Sequence, residues 1–154
     1  MRPGPAPYDT FGGKEQLIRA YLDSRHAKVS DRLLRAVAGT DDPRDRLLAV
    51  FDAKAALFTE RGYRGCAFVA ASAEARQGSA IEEVSDAYRA WVRALFTDLA
   101  RGAGAPDPEG LAHQLHLLYD GGGLSVRMDR DPSAGAVARQ AAAVLIDAAL
   151  PTRS

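Results

Sequence analysis

The chain has 154 residues, of which 47% are hydrophobic and 26% are charged, as in one ordinary soluble globular domain. Its 20 basic and 20 acidic residues balance, which argues against nucleic-acid binding through a broad cationic face. The single cysteine, Cys66, excludes an intramolecular disulfide and favours a reducing, cytoplasmic compartment. No apolar run reaches the ~18 residues of a membrane span, so no membrane partner is expected.

The first predicted element is a long amphipathic helix from about Lys14 to Ala38. Its apolar residues recur at close to 3.6-residue spacing; they are Leu17, Ile18, Tyr21, Leu22, Val29, Leu33, Leu34 and Val37. Gly13 is the expected N-cap and Gly39 the expected stop.

The segment before this helix is predicted to lack regular structure. Residues 1–7 (MRPGPAP) hold three prolines and a glycine, which disfavour a helix. The chain is therefore divided into residues 1–13, expected to be disordered, a folded domain at residues 14–150, and a tail at residues 151–154.

The second helix is predicted to begin at Asp42, which is followed by proline, and to stop at Gly62. Aspartate caps the free amides, and proline tolerates the first helical position. In the next stretch, residues 65–74 (GCAFVAASAE), periodicity alone cannot distinguish a strand from a helix. The alanines and the helical neighbours favour a short helix.

Three more helices are predicted in the second half of the chain. Ser79 and Glu82 form a capping box ahead of the strongest apolar stripe in the sequence. Asp107 and Asp131, each followed by proline, then open the fourth and fifth helices. Three Asp-Pro helix starts are hard to reconcile with a sheet protein, so the sequence predicts an all-α fold.

Two short segments carry a resemblance to a known family. Residues 8–17 (YDTFGGKEQL) resemble the junction in TetR-type transcriptional regulators where the helix-turn-helix ends and the effector domain begins. Residues 64–68 (RGCAF) are similar to a segment found in one branch of that family. The order and lengths of the predicted helices extend the resemblance along nearly the whole chain.

The resemblance implies an antiparallel helical bundle that dimerises through its last two long helices. In the family a helix-turn-helix precedes the junction, whereas only seven residues precede it here. The chain is therefore expected to be the effector-binding and dimerisation domain of a repressor, with the helix-turn-helix largely missing. A start-site error, a fragment and a degenerate paralogue all remain open as reasons.

A small hydrophobic or aromatic effector is the expected ligand of such a bundle. Aromatic side chains on several helices, with a few polar groups, would line its pocket; the candidates are Phe51, Phe58, Cys66, Phe68, Tyr88, Trp91, Leu95, His116 and Tyr119. The alternative is a filled core, in which these side chains only pack and Cys66 is a small core residue.

Enzymatic chemistry finds little support in the sequence. There is no Gly-x-Ser-x-Gly elbow and no phosphate-binding loop ending in Gly-Lys-Ser/Thr. His113 and His116 could share a helical face and hold a metal with Asp120, but polar lining or surface is the favoured interpretation. We therefore expect no catalytic residue, no metal and no cofactor.

The last two helices are predicted to form a homodimer interface. The final helix is apolar on more than one face, which favours burial on two sides. The residues assigned to the interface are Leu117, Gly121, Leu124, Val137, Ala141, Val144, Leu145 and Ala148. The alternative for residues 121–123 (GGG) is a simple break in the helix.

DNA contact is expected to be minor in this chain. In the family, the residues that match Tyr8 and Lys14 approach phosphates, and only that role is carried over. Two contacts cannot supply operator affinity, so operator DNA is a partner only if the missing helix-turn-helix is present. The alternative function is a stand-alone helical module that binds a ligand or forms heterodimers without binding DNA.

Overall fold

The computed structural model describes residues 7–60, 71 and 75–152 of the chain. Over these ranges the regular secondary structure is helical and no strand occurs, which confirms the predicted all-α class. Five helices follow one another: α1 (Pro7–Ala38), α2 (Pro43–Phe58), α3 (Ala80–Gly102), α4 (Pro108–Asp129) and α5 (Ala134–Ala149). The short helix predicted at residues 65–74 lies almost wholly outside the described residues.

Side-chain caps fix the starts of the middle three helices where the sequence predicts them. The Asp42 carboxylate accepts from two backbone amides at 2.9 and 3.1 Å, and Asp107 accepts from one at 3.0 Å. Ser79 Oγ accepts from the Glu82 amide at 3.3 Å. The Glu82 carboxylate accepts from the amide of Gly78, one residue earlier than in the usual capping box. Each cap satisfies an amide that the helix itself leaves unpaired.

Helix α1 begins earlier than predicted, at Pro7 instead of Lys14. Proline lacks an amide hydrogen and has a helix-compatible φ, so the first helical position tolerates it. Gly13 lies inside the helix and not at its N-cap, at a cost of about 1 kcal/mol relative to alanine. Residues 7–13 thus belong to α1, where disorder was predicted; the division of the chain into a domain and two flanking segments stays a prediction.

Helix α5 begins later than predicted, at Ala134. The Asp131 carboxylate accepts from the amide of Ser133 at 2.9 Å and from its hydroxyl at 2.7 Å, so this aspartate closes a turn and does not cap a helix. These hydrogen bonds lower the pKa of Asp131. The turn follows Arg130, which ends α4 in the left-handed conformation at φ 55°.

Residues 121–123 do not break the helix, because α4 continues through them to Asp129. Two glycines instead permit close packing around α5. A Cβ placed on Gly122 would lie 3.3 Å from the Cβ of Ala138. One placed on Gly135 would lie 2.8 Å from the Phe58 ring and 2.9 Å from Ala55. Glycine is therefore required at Gly135 by the approach of α2.

Helix α2 lies at the centre of the bundle and packs against all four other helices. Nine of its 16 residues are buried: Leu47, Leu48, Ala49, Val50, Phe51, Ala53, Lys54, Leu57 and Phe58. The polar contacts show that neighbouring helices are antiparallel. Along α3 and α4, Arg101 contacts Glu109, Arg93 contacts His116 and Arg89 contacts Asp120.

Helix α1, by contrast, touches the bundle along one side. It contacts α2 and α3, and its buried side chains, among those described, are Leu22, Val29 and Leu33. None of the helices in the described ranges is long and apolar enough to cross a membrane.

Candidate functional site

A cluster of buried aromatic rings fills the space between α2, α3 and α4. The hydroxyls of Tyr88 and Tyr119 share a hydrogen bond of 2.7 Å. The Phe96 ring lies 6.0 Å from Tyr119 and 5.6 Å from Phe51, centroid to centroid. All four side chains are nearly inaccessible to solvent, so the cluster is the aromatic centre of the bundle.

One cation, Lys54, is buried in this aromatic centre. Its residue is 6% exposed, and its Nζ lies 4.6 Å from the Tyr119 ring centroid and 5.9 Å from that of Phe58. An ammonium over a ring face is attracted by the ring quadrupole. The Lys54 ammonium is therefore held against aromatic faces at the centre of the bundle.

A small cavity adjoins this lysine. Its volume is about 10 Å³, and it is lined by Phe51, Lys54, Phe58, Tyr119, Gly122, Gly135 and Ala138. A cavity of this size is close to the smallest that can hold one water molecule. An effector could enter only if the surrounding side chains moved apart.

His116 links α3 and α4 beside the aromatic centre. Its side chain is 2% exposed, and its Nδ1 accepts from Arg93 Nε at 3.2 Å. Its Nε2 lies 3.5 Å from the Asp120 carboxylate, which in turn accepts from Arg89 at 2.6 Å. Burial lowers the pKa of His116, opposed by Asp120 and helped by the two arginines. The neutral imidazole therefore fits the site best.

His26 carries the aromatic contacts across to α1. Its ring lies 5.4 Å from Tyr88 and 5.9 Å from Trp91, edge to face in both cases. Burial lowers the pKa of His26, and the nearby Asp23 opposes this. A displacement of the Tyr88 ring would therefore act directly on α1 through His26.

The structure brings most of the predicted ligand residues together. Phe51, Phe58 and Tyr119 line the cavity, and Tyr88 and His116 are buried beside it. Trp91 and Leu95 are partly buried against the core. Cys66 and Phe68 lie outside the described residues. The assignment of these residues to a ligand stays a prediction, since the rings also fill the core.

Sequence reasoning missed two polar groups in this region. Lys54 stands three residues after Phe51 and four before Phe58, so its helical spacing already placed it on their face. Ser85, on α3, is 1% exposed and its hydroxyl has no hydrogen-bond partner within the described part of the chain. In both cases the sequence could have indicated the group, because a polar residue stands at a core position of an amphipathic helix.

The other predicted sites have mixed outcomes. Lys14 is exposed on α1, while the side chain of Tyr8 lies outside the described ones, so their phosphate contacts stay predictions. No group of three or more metal-ligating side chains occurs over the described ranges. His113 is exposed, and the buried imidazole of His116 is engaged by Arg93 and Asp120.

Most of the predicted interface residues form one exposed stripe on α4 and another on α5. On α4, Leu117 is 62% and Leu124 42% exposed; on α5, Val137 is 60% and Val144 70% exposed. Gly121 and Ala148 are also exposed, and Ala141 and Leu145 are half-buried. Met128, 71% exposed, extends the first stripe and was missed. The assignment of the stripes to a dimer interface stays a prediction.

Solved structures of helical regulators are similar to this chain along most of its length. SCO4454, a TetR-family transcriptional regulator from Streptomyces coelicolor, superposes with a TM-score of 0.83 at 24% identity, over 92% of this chain and 76% of that one. For sav143 from Streptomyces avermitilis, described as a TetR transcriptional regulator, the values are 0.78, 27%, 95% and 81%. For the reduced form of Escherichia coli NemR they are 0.67, 18%, 91% and 74%.

The all-helical fold of this chain is shared with these regulators. A sequence profile described as "Tetracyclin repressor-like, C-terminal domain" matches residues 43–142, which include α2 to α4 and more than half of α5. The chain belongs to the TetR family of transcriptional regulators. No curated protein matches the chain in sequence.

Proposed function

We propose that this chain is the effector-sensing and dimerisation part of a TetR-type repressor. The observation that carries the proposal is the pair of exposed apolar stripes on α4 and α5, next to a buried aromatic centre with polar groups. The stripes suit a second copy of the chain, and the centre suits a small hydrophobic or aromatic effector. Such a regulator acts on DNA, so we place it in the cytoplasm.

The spacing of the stripes supports a two-fold dimer. Leu117, Gly121, Leu124 and Met128 recur at intervals of four, three and four residues, and Val137, Ala141, Val144 and Ala148 repeat the same intervals. Such a heptad-like row stays on one side of a helix and suits packing against a second helix. Because α4 and α5 are adjacent, two copies would pair their stripes as a four-helix bundle about a two-fold axis.

The connection of the aromatic centre to α1 supports the sensing role. An effector that displaced Tyr119 would disturb Tyr88 through their hydrogen bond, and then His26 on α1 through the ring contact. Helix α1 has few fully buried residues to resist such a shift. Operator DNA would be bound by a helix-turn-helix of the family type. Tyr8 and Lys14 would add their phosphate contacts to those of the helix-turn-helix. Effector and operator affinities would then be linked reciprocally.

Sedimentation velocity at micromolar concentration tests the dimer, and thermal shift against aromatic and lipophilic compounds tests the sensing role. We expect a dimer and a raised melting temperature with at least one compound class. A monomer would overturn the dimer, and a flat response at saturating concentrations would overturn sensing. The alternative, a stand-alone binding module without a role in transcription, is not favoured by the family match.

A further inference from the structure

We propose that the effector is an organic anion, an aromatic carboxylate in class, whose charge is held by Lys54. The inference rests on the proposed sensing role and adds the sign of the ligand's charge to it. It comes from Lys54, the only charged side chain among the cavity-lining residues in the described part of the chain.

The position of Lys54 on α2 puts its side chain in the wall of this cavity. The side chain leaves α2 on the same face as Phe51 and Phe58, and its Nζ lies 4.6 Å above the Tyr119 ring. Lysine is almost never buried to this extent without a favourable interaction. The faces of the Phe58 and Tyr119 rings contribute one such interaction, and the same side chain lines the cavity in which a ligand would lie.

The chemistry of the lining then selects the ligand class. Phe51, Phe58 and Tyr119 present aromatic walls, which suit an aromatic body by stacking and edge contacts. The ammonium has N–H donors only and no acceptor. A carboxylate beside it would accept charge-assisted hydrogen bonds in a low-dielectric site, whereas an organic cation would be repelled.

Ligand entry requires the Phe58 ring to move, because this ring closes one side of the cavity. Phe58 is the last residue of α2, and its ring lies against Gly122 and Gly135. An arene that took the place of this ring would keep the glycine contacts and bring its carboxylate to Lys54.

Matched pairs of compounds test the charge directly. The probes are benzoate and benzamide, 2-naphthoate and 2-naphthamide, and indole-3-acetate and indole-3-acetamide, titrated calorimetrically into the full chain. Each pair has nearly the same shape and differs in charge. In the wild type we expect at least one acid to bind roughly ten- to a hundred-fold more tightly than its amide, as for one charge-assisted hydrogen bond.

Three variants assign the discrimination to this lysine. Lys54→Met keeps the apolar stem and removes the charge, so acid and amide should bind equally. Lys54→Arg keeps the charge and should keep the preference for the acid. Lys28→Met makes the same replacement at an exposed lysine of α1 and should match the wild type.

The possible outcomes separate this inference from the proposed function. Equal binding of acid and amide by the wild type, or a preference that survives in Lys54→Met, overturns the anionic effector and leaves sensing intact. No binding by any of the six probes also overturns it, while sedimentation still decides the dimer independently. An acid preference that is lost only in Lys54→Met supports it.

Discussion

Helix α4 has a side with paired polar groups, which faces α3, and an apolar side, which faces solvent. Toward α3, its polar groups are matched one by one: Tyr119 with Tyr88, His116 with Arg93 and Asp120 with Arg89. Toward the outside, the same helix presents Leu117 and a stripe of apolar neighbours to solvent. Hydrogen bonds specify partners by geometry, whereas an apolar stripe specifies only that something must cover it. The inner side therefore fixes the fold, and the outer side predicts assembly.

The largest effect is expected from a charge placed on the outer side. Val144→Glu buries a carboxylate in the paired stripe, where an unpaired charge costs several kcal/mol. We expect the dimer dissociation constant to rise by at least a hundred-fold, with an unchanged circular dichroism spectrum because Val144 is 70% exposed in the single chain. Leu34→Glu, at an exposed apolar position of α1, is the control and should remain dimeric. A Val144→Glu protein that still sediments as a dimer would rule out this interface.

A smaller but clear effect is expected where α5 meets α2. Gly135→Ala forces a Cβ to within 2.8 Å of Phe58 and 2.9 Å of Ala55, so we expect the free energy of unfolding to fall by about 1–3 kcal/mol. Gly102→Ala is the matched control, because a Cβ there meets nothing within 4 Å and should stabilise slightly. Urea denaturation measures both. Equal stability of the two variants would mean that α5 does not approach α2 this closely.

The tyrosine pair on the inner side should show coupling. The single variants Tyr88→Phe and Tyr119→Phe each remove one hydroxyl of a 2.7 Å hydrogen bond. A double-mutant cycle is expected to give a coupling energy of about 1 kcal/mol, the usual net value of such a bond. Additive losses in urea denaturation would show that the hydroxyls do not interact in solution.

The contact between α3 and α4 should also make stability depend on pH. Because the pKa of His116 is lowered in the folded chain, the unfolded chain binds more protons below the ordinary value of about 6.5. The free energy of unfolding should therefore fall as the pH drops below that value, by at most about 1.4 kcal/mol per pH unit for one group, until the folded pKa is passed.

Two histidine variants isolate this effect. His116→Gln should flatten the dependence in part, since the pKa of His26 is lowered as well. His113→Gln changes an exposed histidine and should leave the pH profile as it is. Denaturation curves at pH 5 to 8 measure the profile; an unaltered slope in His116→Gln would contradict a neutral, buried His116.

Local chemistry predicted the fold where one side chain decides a helix end, as at Asp42, Ser79 and Asp107. It failed at Asp131, because an aspartate before proline can close a turn as readily as cap a helix. It also failed at Pro7, where proline permits a helix start that it does not require. The all-α class survived both errors because it depends on many residues.

The candidate site was only partly accessible from the sequence. Helical spacing selected the aromatic faces and the exposed stripes, because side-chain direction follows from position along a helix. The contact of His26 with Tyr88 and the pairing of Tyr88 with Tyr119 required knowledge of which helices are neighbours. Lys54 was overlooked because a lysine on an apolar face usually extends its amine to solvent, and here it does not.

The Phe58 ring packs against two glycines where three helices meet, and a substitution can remove it. Phe58→Ala would leave a hollow there, walled by aromatic and small side chains and by Lys54, at a cost of about 3–5 kcal/mol. Hollows of this kind accept benzene-sized molecules, so added toluene should restore part of the lost melting temperature. A small solvent molecule bound at this position could therefore change the stability of the whole bundle.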